Sequence, residues 1–232
     1  MMKQLPLTFE FRANQTFNDF FAAGNQEIIT HLQTCIEGTG EQQIFLWGES
    51  GLGKSHLLQA CCHQAHQQGL SVFYFSMPTH ELPDPALLTG LEKYELVCFD
   101  NIDNIAGDKV WELAFFNFFN QHRGLGLDHR LILTATSSPD QLNIQLPDLK
   151  TRLNWGLTLK IKPLVDDDKI EALIFRADQL GFQVSPQVSR FLLTHFDRDL
   201  ASLWTLLDKL DKASLAAKRK LTIPFLKKLL NL

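Results

Sequence analysis

Eight consecutive residues, Gly48, Glu49, Ser50, Gly51, Leu52, Gly53, Lys54 and Ser55, have the types and order needed to hold a polyphosphate. They match the pattern G-x-x-x-x-G-K-[ST]. The glycines let backbone N–H groups turn inward and approach an anion closely. Lys54 is placed to reach the β and γ phosphates and Ser55 to ligate Mg²⁺. His56, next along, either lines the site or packs as an ordinary helical histidine. Further on, the apolar run Leu96-Val97-Cys98-Phe99 ends in Asp100, the arrangement of a Walker-B acid that holds the Mg²⁺ shell. Many proteins with this pair of motifs carry Glu next as the base that activates water. Here the residue is Asn101, whose carboxamide cannot accept a proton near neutral pH, so intrinsic hydrolysis is expected to be slow. Asp103 offers either a replacement carboxylate or a turn and helix-capping group.

For this chemistry the loop must lie between a strand and a helix, and its flanks meet that condition. Ile44-Phe45-Leu46-Trp47 reads as a buried strand, and a helix is predicted from about 54 to 68, closed by Gly69. Upstream, Ile28, Leu32 and Ile36 share one face of a helix over 26–37, ended by Gly38 and Gly40. Further strands are predicted at Ser71–Ser76, Leu96–Phe99, Arg130–Thr136 and Leu157–Ile161, with a short helix near 86–92 and another over 147–153 that begins with proline. The helix over 109–122, with Trp111, Phe115, Phe116, Phe118 and Phe119, is apolar around most of its circumference. It is expected to be buried on more than one side, as core and not as a nucleobase platform. Short apolar strands alternating with helices imply a five-stranded parallel sheet covered on both faces.

After Pro163 the pattern becomes helical: 166–180, 186–196, 198–217 and 223–231. Asp166, Ser185, Asp197 and Thr222 are the expected N-caps, and Leu200, Leu203, Trp204, Leu207 and Leu210 form one stripe. The chain is therefore divided into an arm (1–15), an α/β nucleotide-binding domain (16–164) and a small helical domain (165–232).

The 232 residues, 45% of them hydrophobic, suffice for one sizeable core plus a small second domain. A net charge of −4 provides no whole-molecule field for nucleic acid or an anionic membrane. Any DNA connection must run through a local patch or a protein partner. Lys209, Lys212, Lys218, Arg219 and Lys220 could be such a patch, although an exposed helix face is favoured. Cys35, Cys61, Cys62 and Cys98 have no metal-ligand spacing and read as buried thiols in a reducing compartment. His63 and His66 lack an evident third ligand. The start has no secretory pattern, and Leu113–Phe119 is too short to span a bilayer, so a cytoplasmic protein without membrane contact is expected.

With these residues in place a resemblance becomes specific. Thr16-Phe17-Asn18-Asp19-Phe20, the loop Gly48–Ser55, Leu96–Asp100, Leu131–Pro139, Pro147–Gly156 and Phe196–Leu210 resemble the AAA+ module of the DnaA initiator family, over about residues 16–231. The helix-turn-helix domain that follows this module in DnaA is not represented before Leu232. That, with Val97–Ile102, Ile105–Asp108, Leu153–Gly156 and Arg219–Phe225, is similar to the Hda family of small DnaA-related regulators.

The resemblance implies an AAA+ P-loop domain with a helical lid, bound to ADP or ATP with Mg²⁺. It implies an activity as well. With the sliding clamp (the β subunit of DNA polymerase III) on DNA, such a protein stimulates hydrolysis of ATP bound to DnaA and so represses initiation. Arg152 matches the arginine-finger position and would act in trans; Arg198 matches the sensor-2 position; Thr136 falls near sensor 1 without the acidic or Asn residue often seen there. The segment Phe17–Gly24 matches the region that lies against the base. By sequence alone each of Arg152 and Arg198 reads first as a solvated surface charge, and only its position in this resemblance raises it. Gln4, Leu5, Leu7 and Phe9 fit the clamp-binding pattern Gln-Leu-x-Leu-x-Phe, an extended peptide whose Leu7 and Phe9 fill apolar pockets while the Gln4 amide fixes orientation. Otherwise the same segment is a tail or an edge strand. DNA contact would be mainly indirect, through the clamp, and self-association is open. The alternative is a self-sufficient AAA+ ATPase that loads or remodels a nucleic-acid complex, with Asp103 as its base.

Overall fold

A computed structural model describes residues 15–124, 126, 129–217 and 221–230. The strands are β1 (Gln43–Trp47), β2 (Val72–Ser76), β3 (Leu96–Asp100), β4 (Arg130–Ala135) and β5 (Leu157–Lys160). Between them run helices α1 (Gln26–Glu37), α2 (Lys54–Gln67), α3 (Lys109–Arg123) and α4 (Pro147–Leu153), with α1 preceding β1. The five strands form one parallel sheet in the order β2-β3-β4-β1-β5. β1 is therefore interior. The chain leaves it for the far edge, steps back through β3 and β4, and passes β1 to reach β5. Ligands of such sheets lie beyond the carboxyl ends of the strands where this order reverses.

Alternation along the strands divides the core into two layers. Ile44, Leu46, Leu96, Cys98 and Ile132 pack with Leu32, Ile36, Leu57, Leu58 and Cys61 of α1 and α2. Phe45, Val97, Phe99, Leu131 and Leu133 pack on the other face with Trp111, Phe115, Phe118, Phe119, Leu149 and Leu153 of α3 and α4. All four cysteines are buried. Among the described residues no helix is long and apolar enough to cross a membrane.

Three local expectations need correction. The short helix predicted near 86–92 is two 3₁₀ turns, Pro85–Leu88 and Leu91–Lys93, because Gly90 between them is left-handed at φ 85°. The Phe-rich α3, expected to be buried on more than one side, buries one face with Trp111, Glu112, Phe115, Phe118, Phe119 and His122, while Val110 and Leu113 are 67% and 54% exposed. Two of the acidic caps are displaced. Val165 occupies the N-cap expected for Asp166, and Asp168 accepts its N–H at 3.2 Å. The expected cap Asp197 gives way to Asp199, which accepts from Ser202 N–H at 2.9 Å.

The chain divides between Lys162 and Pro163. The second unit contains α5 (Asp166–Gln179), α6 (Pro186–His195), α7 (Leu200–Ala217) and α8 (Ile223–Leu230). Its own core includes Leu173, Val188, Leu192, Leu203, Leu207 and Leu226. Ser185 caps α6 by accepting from Val188 N–H at 3.3 Å, with Pro186 at the first helical position. Arg198 thus precedes α7 and does not open it.

Candidate nucleotide site

The loop follows β1 directly. Gly48 N–H donates to Ala135 O at 3.3 Å, tying the loop to the end of β4. Gly53 is left-handed at φ 89°, and a Cβ there would lie 2.7 Å from the Phe20 ring. Glycine therefore serves both the backbone turn and the close packing of Phe20 over the loop. Ser55 stands exposed in the first turn of α2, whose fourteen residues direct an N-terminal dipole at the loop. Lys54 is buried, and its Nζ donates to Gly48 O at 2.6 Å and Glu49 O at 2.8 Å. Burial lowers the Lys54 pKa, while the charges of Asp100 and Asp103 oppose that shift.

The acids stand at the same carboxyl edge of the sheet. Asp100, 1% exposed, accepts from Tyr74 O–H at 3.1 Å on one oxygen and from Thr134 O–H on the other. Thr134 in turn accepts from Asn101 N–H at 3.0 Å. Burial and then the Asp100 charge raise the Tyr74 pKa, which keeps the phenol a donor. Asn101 is left-handed at φ 59°, a conformation Asn tolerates better than Glu, and its amide turns to Ser76 Oγ at 3.2 Å. Asp103 takes Thr136 N–H at 3.3 Å and Thr136 O–H at 2.6 Å on one oxygen. Its bonds join β4 to the turn after β3 and do not cap a helix. His56 Nε2 lies 2.8 Å from Thr16 O, and its ring meets Phe20 edge-on at 5.6 Å. The segment Phe17–Gly24 and His56 are therefore brought together beside the loop.

These residues fit a magnesium nucleotide. The loop positions that must be left-handed are glycines, a buried lysine is coupled to two carboxylates, and Asp103 has a second oxygen that is buried without a hydrogen-bond partner among the described residues. Bound there, the cation would neutralise and clamp phosphate oxygens. Lys54 would bind the polyphosphate, Ser55 and Asp100 would hold the cation's shell, and Phe20 would exclude water from the loop.

Arg152 lies at the opposite edge of the sheet. Its carbonyl accepts from Gln43 Nε2 at 2.8 Å, at the first residue of β1. The five residues of β1 separate its backbone from the loop by roughly 16 Å, at about 3.3 Å per residue. The guanidiniums of Arg152 and Arg123 both stack on Trp155, each 3.8 Å from a ring centroid. A cleft of about 340 Å³ opens beside them, lined in part by Gln43, His122, Arg123 and Trp155. Gly156 is required here because a Cβ would lie 2.2 Å from Gln43 O. The start of α4 is held by Glu112, whose carboxylate accepts from Gly107, Gln145 and Leu146 N–H at 2.8 to 3.1 Å. In the second unit, Arg198 donates to Asp166 Oδ2 at 3.2 Å, with both side chains exposed. Gln4, Leu5, Leu7, Phe9, Lys218, Arg219 and Lys220 lie outside the described residues.

Four contributors were not identified from the sequence. Thr134 carried a signal, a polar residue inside an apolar strand, and so did Tyr74 beside Asp100 in the neighbouring strand. Glu112 and Trp155 carried none, because their partners come from distant loops.

Comparison with known proteins agrees with this geometry. The family described as "Hda, lid domain" matches residues 166–230, and that described as "IstB-like ATP binding protein" matches residues 3–81. Domain III of DnaA from Thermotoga maritima superposes with a TM-score of 0.78 at 19% identity, over 96% of this chain and 98% of that one. DnaA bound to AMPPCP and single-stranded DNA gives 0.75 at 19% identity, over 90% of this chain and 70% of that one. AMPPCP-bound DnaA from Aquifex aeolicus gives 0.74 at 20% identity, over 87% and 66%. The fold is thus that of DnaA domain III, residues 3–81 around the phosphate loop are similar to an ATP-binding family, and residues 166–230 are similar to the lid domain of the Hda family.

Proposed function

We propose that this chain, holding ADP or ATP with Mg²⁺ at its own loop, uses Arg152 to stimulate hydrolysis of the ATP bound to DnaA, and does so when the sliding clamp is loaded on DNA. Repression of replication initiation follows from that activity. The observation that carries the proposal is the position of Arg152 at the amino edge of the sheet, too far from its own phosphate loop to serve it. A guanidinium beside a transferring phosphoryl group stabilises developing charge, and one on the outer edge can do so only for a neighbour. The stack on Trp155 restricts its orientation, which lowers the entropy lost on meeting a partner's phosphates. Asn101 supports the same division of labour, since its amide is turned to Ser76 and supplies no base for hydrolysis in cis.

ADP in this chain's own site holds the protein in a binding-competent form. Arg198 is proposed as the sensor-2 arginine, and its exposed pairing with Asp166 is worth only about 0–1 kcal/mol to displace. Gln4, Leu5, Leu7 and Phe9 dock in the clamp, so DNA is met mainly through it. Self-association would compete with DnaA for the Arg152 edge.

The test is hydrolysis of DnaA-bound ATP with and without clamp-loaded DNA. Stimulation should require this chain and the loaded clamp together, and Gln4→Ala with Leu7→Ala should abolish both clamp pull-down and stimulation. Brisk steady-state ATPase by the chain alone, with no effect on DnaA, would instead identify a self-sufficient ATPase.

A further inference from the structure

We infer that Asp103 is a positioning residue for the bound nucleotide's Mg²⁺, accepting a hydrogen bond from a water of the metal's shell through the oxygen that Thr136 leaves free. The inference rests on the nucleotide reading of the loop and adds a residue to it. Asp103 stands at the start of the loop: Thr136, which holds its carboxylate, directly follows Ala135, whose carbonyl accepts from Gly48 N–H at 3.3 Å. Both oxygens of Asp100 are engaged, by Tyr74 and Thr134. Asp103 is different. Thr136 holds one oxygen with its N–H and its O–H, which fixes the plane of the carboxylate. The other oxygen is buried and has no partner among the described residues.

A buried carboxylate oxygen without a donor is unfavourable, and the protein environment strengthens any donor that reaches it. Lys54 is the nearby cation, but its ammonium is directed to Gly48 O and Glu49 O. Water polarised by a divalent cation is a strong donor and matches an acceptor held beside the phosphate loop. Thr136 thus contributes indirectly, by aiming a neighbour's carboxylate, and needs no charge of its own.

The experiment is titration of the full chain with AMPPCP, with and without Mg²⁺. The wild type should bind more tightly with Mg²⁺. Asp103→Asn should keep the melting temperature and should not weaken Mg²⁺-free binding, since it removes a negative charge near the phosphates, while losing about tenfold of the Mg²⁺-dependent gain, the size expected for a hydrogen bond to a charged group. Thr136→Val removes the O–H and keeps the N–H, so a smaller loss of the same kind is expected. An undiminished Mg²⁺ gain in Asp103→Asn overturns the inference, as does an equal loss with and without the metal. Lys54→Ala reads the underlying assumption separately. If that variant binds AMPPCP as the wild type does, the nucleotide reading itself fails.

Discussion

Replacing Glu112 by Gln tests whether the edge bearing Arg152 is held as described. Glu112 is 1% exposed, and its carboxylate receives N–H groups from Gly107, Gln145 and Leu146. Hydrogen bonds to a charged acceptor contribute about 1.5–3 kcal/mol each. The amide keeps one acceptor oxygen but turns an NH₂ group against at least one of those donors. One charged bond is lost and one part-buried N–H is left without an acceptor, so destabilisation of about 2–4 kcal/mol is expected. Glu112→Ala, which strips all three donors, should cost more, limited by water entering the space left behind. Against a total of about 5–15 kcal/mol, either change is large. Urea unfolding followed by circular dichroism gives the loss directly from the midpoint at constant slope. Because Gln145 and Leu146 lead into α4, protease sensitivity of the 143–153 segment should rise in parallel. A Glu112→Gln midpoint within about 0.5 kcal/mol of wild type would refute the reasoning, since surface substitutions show effects of that size.

Other expectations follow from single features of the site and core. Gly53→Ala should weaken AMPPCP binding and cost about 1–2 kcal/mol of stability, because the left-handed backbone and the Phe20 ring both oppose a Cβ; unchanged affinity would show that Phe20 does not cover the loop. Burial lowers His122 from 6.5 to about 4, so the folded chain resists a proton that the unfolded chain accepts. Stability should therefore be full above pH 6.5 and fall by about 3 kcal/mol as pH drops to 4, with His122→Phe flattening that part of the profile. Burial also pushes the Cys35 thiol up to about 12, and the other three cysteines are buried too. A disulfide reagent at pH 8 should label the native protein far more slowly than the urea-unfolded chain.

The parts of this molecule that depend on local chemistry were legible in the sequence. The loop Gly48–Ser55, the proline-started α4 and the αL closure of α1 at Gly38 each follow from residue types a few positions apart. The alternation within β1, β3 and β4 is hidden by strands that are apolar on both faces, so the sheet and its cover on both faces are readable but which residue packs in which layer is not. Asp199 displaces Asp197 as the cap before α7 because the choice between two nearby acids depends on where the chain turns. Glu112 sits in an apolar run and reads as a solvent-facing acid; only the fold brings Gly107, Gln145 and Leu146 to it. The arginines show the same limit. Arg152, Arg123 and Trp155 meet across the amino edge of the sheet, and no spacing rule places Arg123 with the other two. Asn101 reads as a missing base, but its left-handed backbone, which determines where its amide points, has no signature in the sequence.

The central claim is that Arg152 acts on a nucleotide held by another protein. Single-turnover hydrolysis of ATP on DnaA, with clamp-loaded DNA and either the wild-type chain or Arg152→Ala, tests it most directly. The account predicts that the variant folds, binds nucleotide and is retained on the clamp, yet loses the finger's contribution, on the order of 10³–10⁵ where stimulation is maximal. Full stimulation by Arg152→Ala would contradict it.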